Sequence, residues 1–339
     1  MPGMAMPDLL YRALARGWTA VRDIGVRASD FLIDPSHHMF VGYIVTSLLI
    51  AGMVCARMVH GRSHYMRSSN SIREFLFPSQ VWRTPSARLD VKYFFLHEII
   101  MSLAPVGSVV LLSNWAFQGW MTVAGRAQPE STAGSPGQWG LAALYTIGVV
   151  ALVDFIAYAI HVAQHRVPLL WEFHRVHHSP RVLNPLTNFR EHPLDPFAYA
   201  VGTGVGAGTL MAVVTLLVGY TPTEVTQIVV ASTLAFEGLG YHLRHSHVWL
   251  KWPKPLVYLF GCPAHHQVHH SYHPRHINKN FAFMFPFWDV LFGTFELPDT
   301  PDDIVFGIGE NEGDEFRTCG DLLWVPVRRL FARVARQRA

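Results

Sequence analysis

Residues 141–165 read LAALYTIGVVALVDFIAYAIHVAQH. The first twenty, 141–160, are almost entirely apolar. At roughly 1.5 Å per residue a helix of that length crosses the ~30 Å hydrocarbon core of a bilayer. Where the run ends, His161 and His165 stand four apart, one helical turn, so both imidazoles fall on one face. The same stretch therefore predicts a membrane-spanning helix and, at its end, a pair of metal ligands. Asp154 sits inside the run, two turns before His161. An unpaired carboxylate there is costly, so it needs a partner.

Outward from this stretch the histidine pattern repeats. His174, His177 and His178 occupy positions i, i+3 and i+4, His242 and His245 are three apart, and His266, His269 and His270 restate the second pattern, so His-x-x-His-His occurs twice. Neutral imidazole binds iron, zinc, copper or nickel. One such ion takes about four to six ligands, so ten clustered histidines suit two adjacent ions better than one. A low-complexity scavenging tract does not fit, because the groups are interleaved with apolar and aromatic residues, as in Trp171-Glu172-Phe173-His174, and follow long hydrophobic runs. His37, His38, His60, His64, His97 and His276 lack that context and are read as ordinary surface histidines. His192, His247, His265 and His273 are read first as structural or supporting residues, with a place as substitute ligands the alternative.

Half of the 339 residues are hydrophobic and 15% are charged, which is the composition of an integral membrane protein rather than a soluble two-domain enzyme. Apolar runs at 39–59, 91–113, 141–160, 197–218 and 225–241 predict about five transmembrane helices in an all-α protein. The start of the chain lacks the pattern of a removable signal peptide. Arg57, Arg62, Arg67, Arg73, Arg83, Arg88 and Lys92 lie between or beside the first two runs, whereas Arg126 is alone between the next pair. The first loop is thus expected to be cytoplasmic. Alternation from there brings all four histidine groups to one cytoplasmic face, as a helical cap holding a dimetal site. Arginine outnumbers lysine 23 to 4, a bias of GC-rich bacterial genomes, so the expected location is a bacterial inner membrane. Three scattered cysteines make no disulfide framework, and a net charge of +3 gives no reason to expect a nucleic-acid partner.

Three regions follow: 1–140 with two spans and an external Gly/Pro/Ser-rich loop, 141–297 with the chemistry, and 298–339 as a cytoplasmic tail. The tail ends in a stretch at 321–339 that alternates apolar residues with Arg328, Arg329, Arg333, Arg336 and Arg338, as an amphipathic helix on an anionic membrane would. Trp249, Lys251, Trp252 and Lys254 suggest a segment at headgroup level. Gly202, Gly204, Gly206 and Gly208 form two overlapping small-x-x-x-small patterns that let helices approach closely.

Read in order, Asp154-Phe-Ile-Ala-Tyr158-Ala-Ile-His161-Val-Ala-Gln-His165 and Leu170-Trp171-Glu-Phe-His174-Arg-Val-His177-His178-Ser179 resemble the sterol desaturase and fatty acid hydroxylase superfamily of membrane-bound di-iron oxygenases. The likeness continues through Asn184-Pro-Leu-Thr187-Asn-Phe-Arg190-Glu-His192-Pro193-Leu-Asp195, His245-Ser246, Pro263-Ala-His265-His266-Gln-Val-His269-His270, Asn278-Lys-Asn280-Phe281 and Trp288-Asp289-Val-Leu-Phe292-Gly293-Thr294. It covers 141–297. Asn280-Phe281-Ala282 departs from the superfamily's Asn-Tyr-Gly, which removes a phenol from the vicinity of the site. His242 is carried over less directly than His245, and its candidacy rests on lying one turn away.

The resemblance implies two iron ions held by His161, His165, His174, His177, His178, His242, His245, His266, His269 and His270, with dioxygen as co-substrate. The reaction implied is oxidation, by preference hydroxylation, of a C–H bond in a membrane lipid; desaturation by the same site is the alternative. No nucleotide-binding fingerprint is present, so electrons are expected from a separate ferredoxin, flavodoxin or b-type cytochrome system. Asp154 and Asp289 are the expected catalytic carboxylates, each accepting the second ring N–H of a ligand imidazole, with Glu191 a similar candidate. A membrane metal transporter is the distant alternative, but it would carry its ionisable residues near mid-span rather than at one end.

Overall fold

The computed structural model describes residues 31–35, 37–60, 71–103, 109–128, 136–219, 236–310 and 312–338. Among these residues there is no strand, only an isolated bridge between Ser271 and Phe306. The main helices in chain order are α1 (Val41–His60), α2 (Pro85–Leu103), α3 (Val109–Val123), α4 (Pro136–Arg166), α5 (Pro168–His178), α6 (Leu194–Val218), α7 (Pro263–His269), α8 (Phe287–Phe292) and α9 (Cys319–Arg338).

Two helices among the described residues are long and apolar enough to cross a membrane: Gly140–Arg166 within α4, 27 residues of mean hydropathy 2.0, and Leu194–Val218, 25 residues of mean hydropathy 1.9. The apolar part of α1, Val41–Arg57, is shorter. Of the run at 91–113, residues 91–103 lie in α2 and 109–113 in α3, and residues 104–108 lie outside the described residues. Of the run at 225–241, residues 225–235 lie outside the described residues. Its end forms a turn and a short 3-10 helix at Tyr241–Leu243.

α4 and α6 pack around Ala142, Tyr145 and Val149 with Leu210, Met211 and Val214, while α3 meets α6 through Phe117, Met121 and Ala212. The glycines set these distances. A Cβ on Gly204 would come within 2.9 Å of the Val109 carbonyl oxygen, and one on Gly208 would strike the Ser113 carbonyl, both on α3. A Cβ on Gly202 would reach 2.6 Å from Ile160 Cδ1, and one on Gly206 would strike Ile156, both on α4. The two glycine pairs therefore grip neighbours on different sides of one helix. Away from these seams, Trp115, Ile147 and Leu217 are 71%, 66% and 79% exposed, an apolar outer surface suited to lipid rather than water.

A separate core of Leu89, Tyr93, Val176, Phe316, Leu322 and Val325 joins α2, α5 and α9. α9 is the basic helix expected from the tail, but only part of it is available to a membrane. Arg329 Nε donates to Glu172 Oε2 at 2.8 Å and Arg333 Nη2 lies 3.5 Å from Glu172 Oε1, so two of its arginines clamp it to α5. Trp324, Arg328, Phe331 and Arg336 stay exposed. His97, read as a surface histidine, is buried and pairs with Glu191 at 3.3 Å and Glu98 at 3.5 Å. His276 is likewise buried, beside Ser271 Oγ at 3.0 Å. His37 and His38, half-buried, face Glu98 and Glu237, His64 lies outside the described residues, and so does the side chain of His60. Trp249 and Trp252, read as headgroup anchors, pack inward on Val257, Cys262 and Ala264.

Candidate metal centre

α4 delivers His161 and His165 from its last two turns, and the chain reverses at Val167-Pro168 into α5, whose fixed proline φ starts the next helix. α5 supplies His174, His177 and His178, α7 supplies His266, His269 and His270, and the loop after the 3-10 helix supplies His245. Nine of the ten expected ligands gather into two groups, each with candidate ligand atoms within 4.8 Å of one another. The first is His161, His165, His174, His178 and His269; the second is His177, His245, His266 and His270.

The repeated His-x-x-His-His word is explained by this division. From α5, the i and i+4 pair His174 and His178 goes to the first group and His177 to the second. From α7, the i and i+4 pair His266 and His270 goes to the second group and His269 to the first. Residues one turn apart share a face, whereas consecutive residues diverge by about 100°, so each word straddles two centres. The His178 and His270 rings stack between them, with centroids 4.4 Å apart.

Within the groups the ring nitrogens crowd together. His165 and His269 Nε2 each lie 3.1 Å from His178 Nε2. His245 Nε2 lies 3.2, 3.1 and 2.9 Å from Nε2 of His177, His270 and His266. Ligands at right angles on bonds of ~2.1 Å are separated by about 3.0 Å, so these spacings match the edges of a coordination polyhedron. The protonation pattern agrees. His161 Nδ1 donates to the Phe281 carbonyl at 2.8 Å, His269 Nδ1 to the Lys279 carbonyl at 2.9 Å, and His174 Nδ1 to Asp195 Oδ2 at 3.2 Å. A proton on Nδ1 leaves the Nε2 lone pair free, and His174 Nε2 is buried with no hydrogen-bond partner. Burial also holds His174, His177 and His269 down at about 3, and His178, His245, His266 and His270 well below the ordinary imidazole value. Neutral lone pairs converging on one point in a dry interior fit a cation.

His242 does not join either group. It is buried beside Tyr241 with both ring nitrogens unpartnered, because the 3-10 turn at Tyr241–Leu243 breaks the helical register that would have aligned it with His245. The carboxylates also differ from expectation. Asp154 accepts the backbone N–H groups of Met284 and Phe285 at 2.8 and 3.1 Å, and Asp289 accepts those of Phe281 and Ala282 at 2.8 and 2.9 Å and the Thr294 hydroxyl at 2.6 Å. Neither touches an imidazole. Both bind the 280–294 loop instead, and Asp289 acts on His161 through the Phe281 peptide. Tyr158 pairs with Thr294 at 3.0 Å rather than with Asp154, and Glu191 faces His97.

The carboxylate on a ligand histidine is Asp195, buried in the first turn of α6 and held on its other oxygen by Gln164 at 2.9 Å. It stands in the stretch Asn184 to Asp195 that carried the resemblance, but spacing alone does not distinguish it. The carbonyls of Lys279 and Phe281 have only an indirect signal, the flanking Asn278 and Asn280 at φ 59° and 55°; asparagine tolerates this left-handed region. His192, His247, His265 and His273 bond to backbone groups of their own surroundings. Phe281, which stands for the absent phenol, is fully buried against His161, His165 and His269. A cavity of about 270 Å³ reaches both groups, lined by His165, Trp171, His178, His269 and His270 among others.

The fatty acid hydroxylase family model matches residues 146–294, which contain every histidine of both groups. An ornithine lipid hydroxylase of Rhizobium tropici is 32% identical over 216 residues, 62% of this chain and 60% of the relative. An alkylglycerol monooxygenase of Caenorhabditis elegans is 29% identical over 159 residues, 47% of this chain and 28% of the relative. A very-long-chain aldehyde decarbonylase of Oryza sativa subsp. indica is 29% identical over 167 residues, 44% and 24% of the two chains. The chain thus spans between 24% and 60% of the length of these relatives. No solved structure matches it significantly. Over residues 146–294, less than half of its length, the chain is thus similar to the fatty acid hydroxylase family, the likeness already carried by its histidine motifs.

Proposed function

We propose that this protein hydroxylates a C–H bond of a membrane lipid with dioxygen, using two iron ions held by the nine grouped histidines. The observation that carries this reading is the pair of neutral-imidazole groups at the end of two helices apolar enough to lie in a bilayer. When bound, a ferrous pair supplies the electrons and the oxygen affinity that no side chain offers. The chain's own residues set geometry: Asp195 and the carbonyls of Phe281 and Lys279 fix the tautomers of His174, His161 and His269. Asp154 and Asp289 act as positioning residues through the loop they hold. Phe281 and Trp171 pack against His165 and exclude water from the first group.

The named relatives act on ornithine lipids, alkylglycerols and long-chain aldehydes, which supports a lipid substrate with a polar end. The arginine-rich stretch at 57–92 supports a cytoplasmic site, in a bacterial inner membrane, with electrons from a soluble ferredoxin, flavodoxin or b-type cytochrome system. We read the apolar runs at 39–59, 91–113 and 225–241 as joining α4 and α6 in the membrane. The reaction is tested by supplying reductant and labelled dioxygen to the protein in native lipid: a hydroxylated lipid carrying the label is expected. Label drawn from water would overturn the oxygenase, and an alkene without label would assign the desaturase.

A further inference from the structure

Arg244, next to His245, is 8% exposed. Its guanidinium lies over three aromatic rings, 5.9 Å from the centroid of Phe236 and 5.4 Å from those of Tyr241 and Phe283. These contacts are all with aromatic rings, whereas the edge of the planar cation carries five N–H donors. Among the described residues that edge makes no ion pair, and it has no hydrogen bond. The carboxylates that act on it electrostatically are Asp154 and Glu237, and both are engaged elsewhere, Asp154 with the amides of Met284 and Phe285 and Glu237 with His38 at 3.1 Å. A buried cation without a bonded counter-ion is expensive. The other interior arginines contrast with it: Arg190 has Asp90 at 3.1 Å and Arg175 has Glu172 at 3.4 Å.

Position adds chemistry. The Phe283 ring that covers Arg244 also packs on His161, centroids 5.2 Å apart, so the cation stands one ring away from the first metal group. We propose that Arg244 anchors an oxyanion of the substrate, the carboxylate or phosphate of an acidic lipid, and so presents the adjoining carbons to the metal centre. The planar fork suits two-point recognition of either group. This inference rests on the lipid-oxidation reading above.

The test uses the iron-loaded full-length protein in detergent and measures competition against a fluorescent fatty acid by palmitate, hexadecyl phosphate and methyl palmitate. Wild type should prefer an anion over the methyl ester by about 10- to 100-fold, the usual weight of hydrogen bonds to a charged group, and the stronger anion identifies the headgroup chemistry. Arg244→Gln should erase that preference while leaving iron content unchanged, and Arg244→Lys, which keeps the charge over the rings but loses the fork, should reduce it. Equal binding of ester and acids by wild type, or a preference that survives Arg244→Gln, would overturn the proposal. So would an equal loss of all three ligands together with iron, which would make Arg244 a structural clamp on Phe283. If Arg244→Gln fails to fold, an unchanged preference in Arg244→Lys overturns it on its own. An intact, Arg244-dependent preference in a protein that oxidises no lipid would leave this site standing and remove the oxygenase reading.

Discussion

The two histidine groups are built from the same elements and differ in how their imidazoles are held. In the first, three of five ligands donate Nδ1–H to a fixed acceptor: Asp195, the Phe281 carbonyl or the Lys279 carbonyl. In the second, the hydrogen bonds of the four imidazoles run mainly between the imidazoles themselves, and the Arg190 backbone acts on His177. A preset tautomer raises ligand basicity and removes a rotational choice that binding would otherwise have to fix. The first group is organised in advance, whereas the second would take its order from a bound ion and from the first group through the stacked His178 and His270 rings.

The largest effect expected from this contrast is on metal content. His269→Ala should abolish turnover and remove the first ion, and His266→Ala should abolish turnover and remove the second, each leaving roughly one iron per chain by elemental analysis of anaerobically loaded protein. Loss of both ions from either variant would merge the two groups into one cooperative site. Asp195→Asn should weaken the first ion or slow turnover by about 10- to 100-fold without moving the second, as read by chelator competition. Asp154→Asn should lower the unfolding temperature with no such selectivity, because its carboxylate holds backbone rather than a ligand.

A smaller, graded effect is expected with pH. His174, His177 and His269 are held at about 3 in the folded chain against ~6.5 when unfolded, so between those values the unfolded state binds more protons. The metal-free protein should therefore lose stability as pH falls from about 6.5 towards 3, by up to about 1.4 kcal/mol per unit for each group. Thermal unfolding in one detergent across pH 7.5 to 4.5 measures this, and a flat profile would contradict the burial argument. The smallest effect should follow His242→Phe, which leaves iron content at the wild-type value; loss of an ion would return His242 to the second group.

These contrasts also mark where sequence reading reached its limit. His174, His178, His266 and His270 were legible because one-turn spacing fixes a shared face whatever the rest of the chain does. His242 has similar spacing to His245, but a 3-10 turn intervenes, and spacing carries no information about whether a helix persists. The Asp154 reading correctly required a partner and named the wrong one, since an apolar span demands only that the carboxylate be satisfied, and backbone amides from residues 130 positions away serve that need. Carbonyl acceptors such as Phe281 have no side-chain signature at all.

The clamp between α9 and α5 gives the protein a timetable. Glu172, buried two residues before His174, has Arg329 as a partner 157 positions later in the chain. At ~5–20 residues per second of synthesis, roughly 8 to 30 s separate the emergence of that carboxylate from the emergence of its distant counter-ion. Until then α5 has no α9 to close over it, and Glu172 has only the nearby Arg175 as a counter-ion. The order of translation thus places closure of this clamp after synthesis of both helices long and apolar enough to cross a membrane.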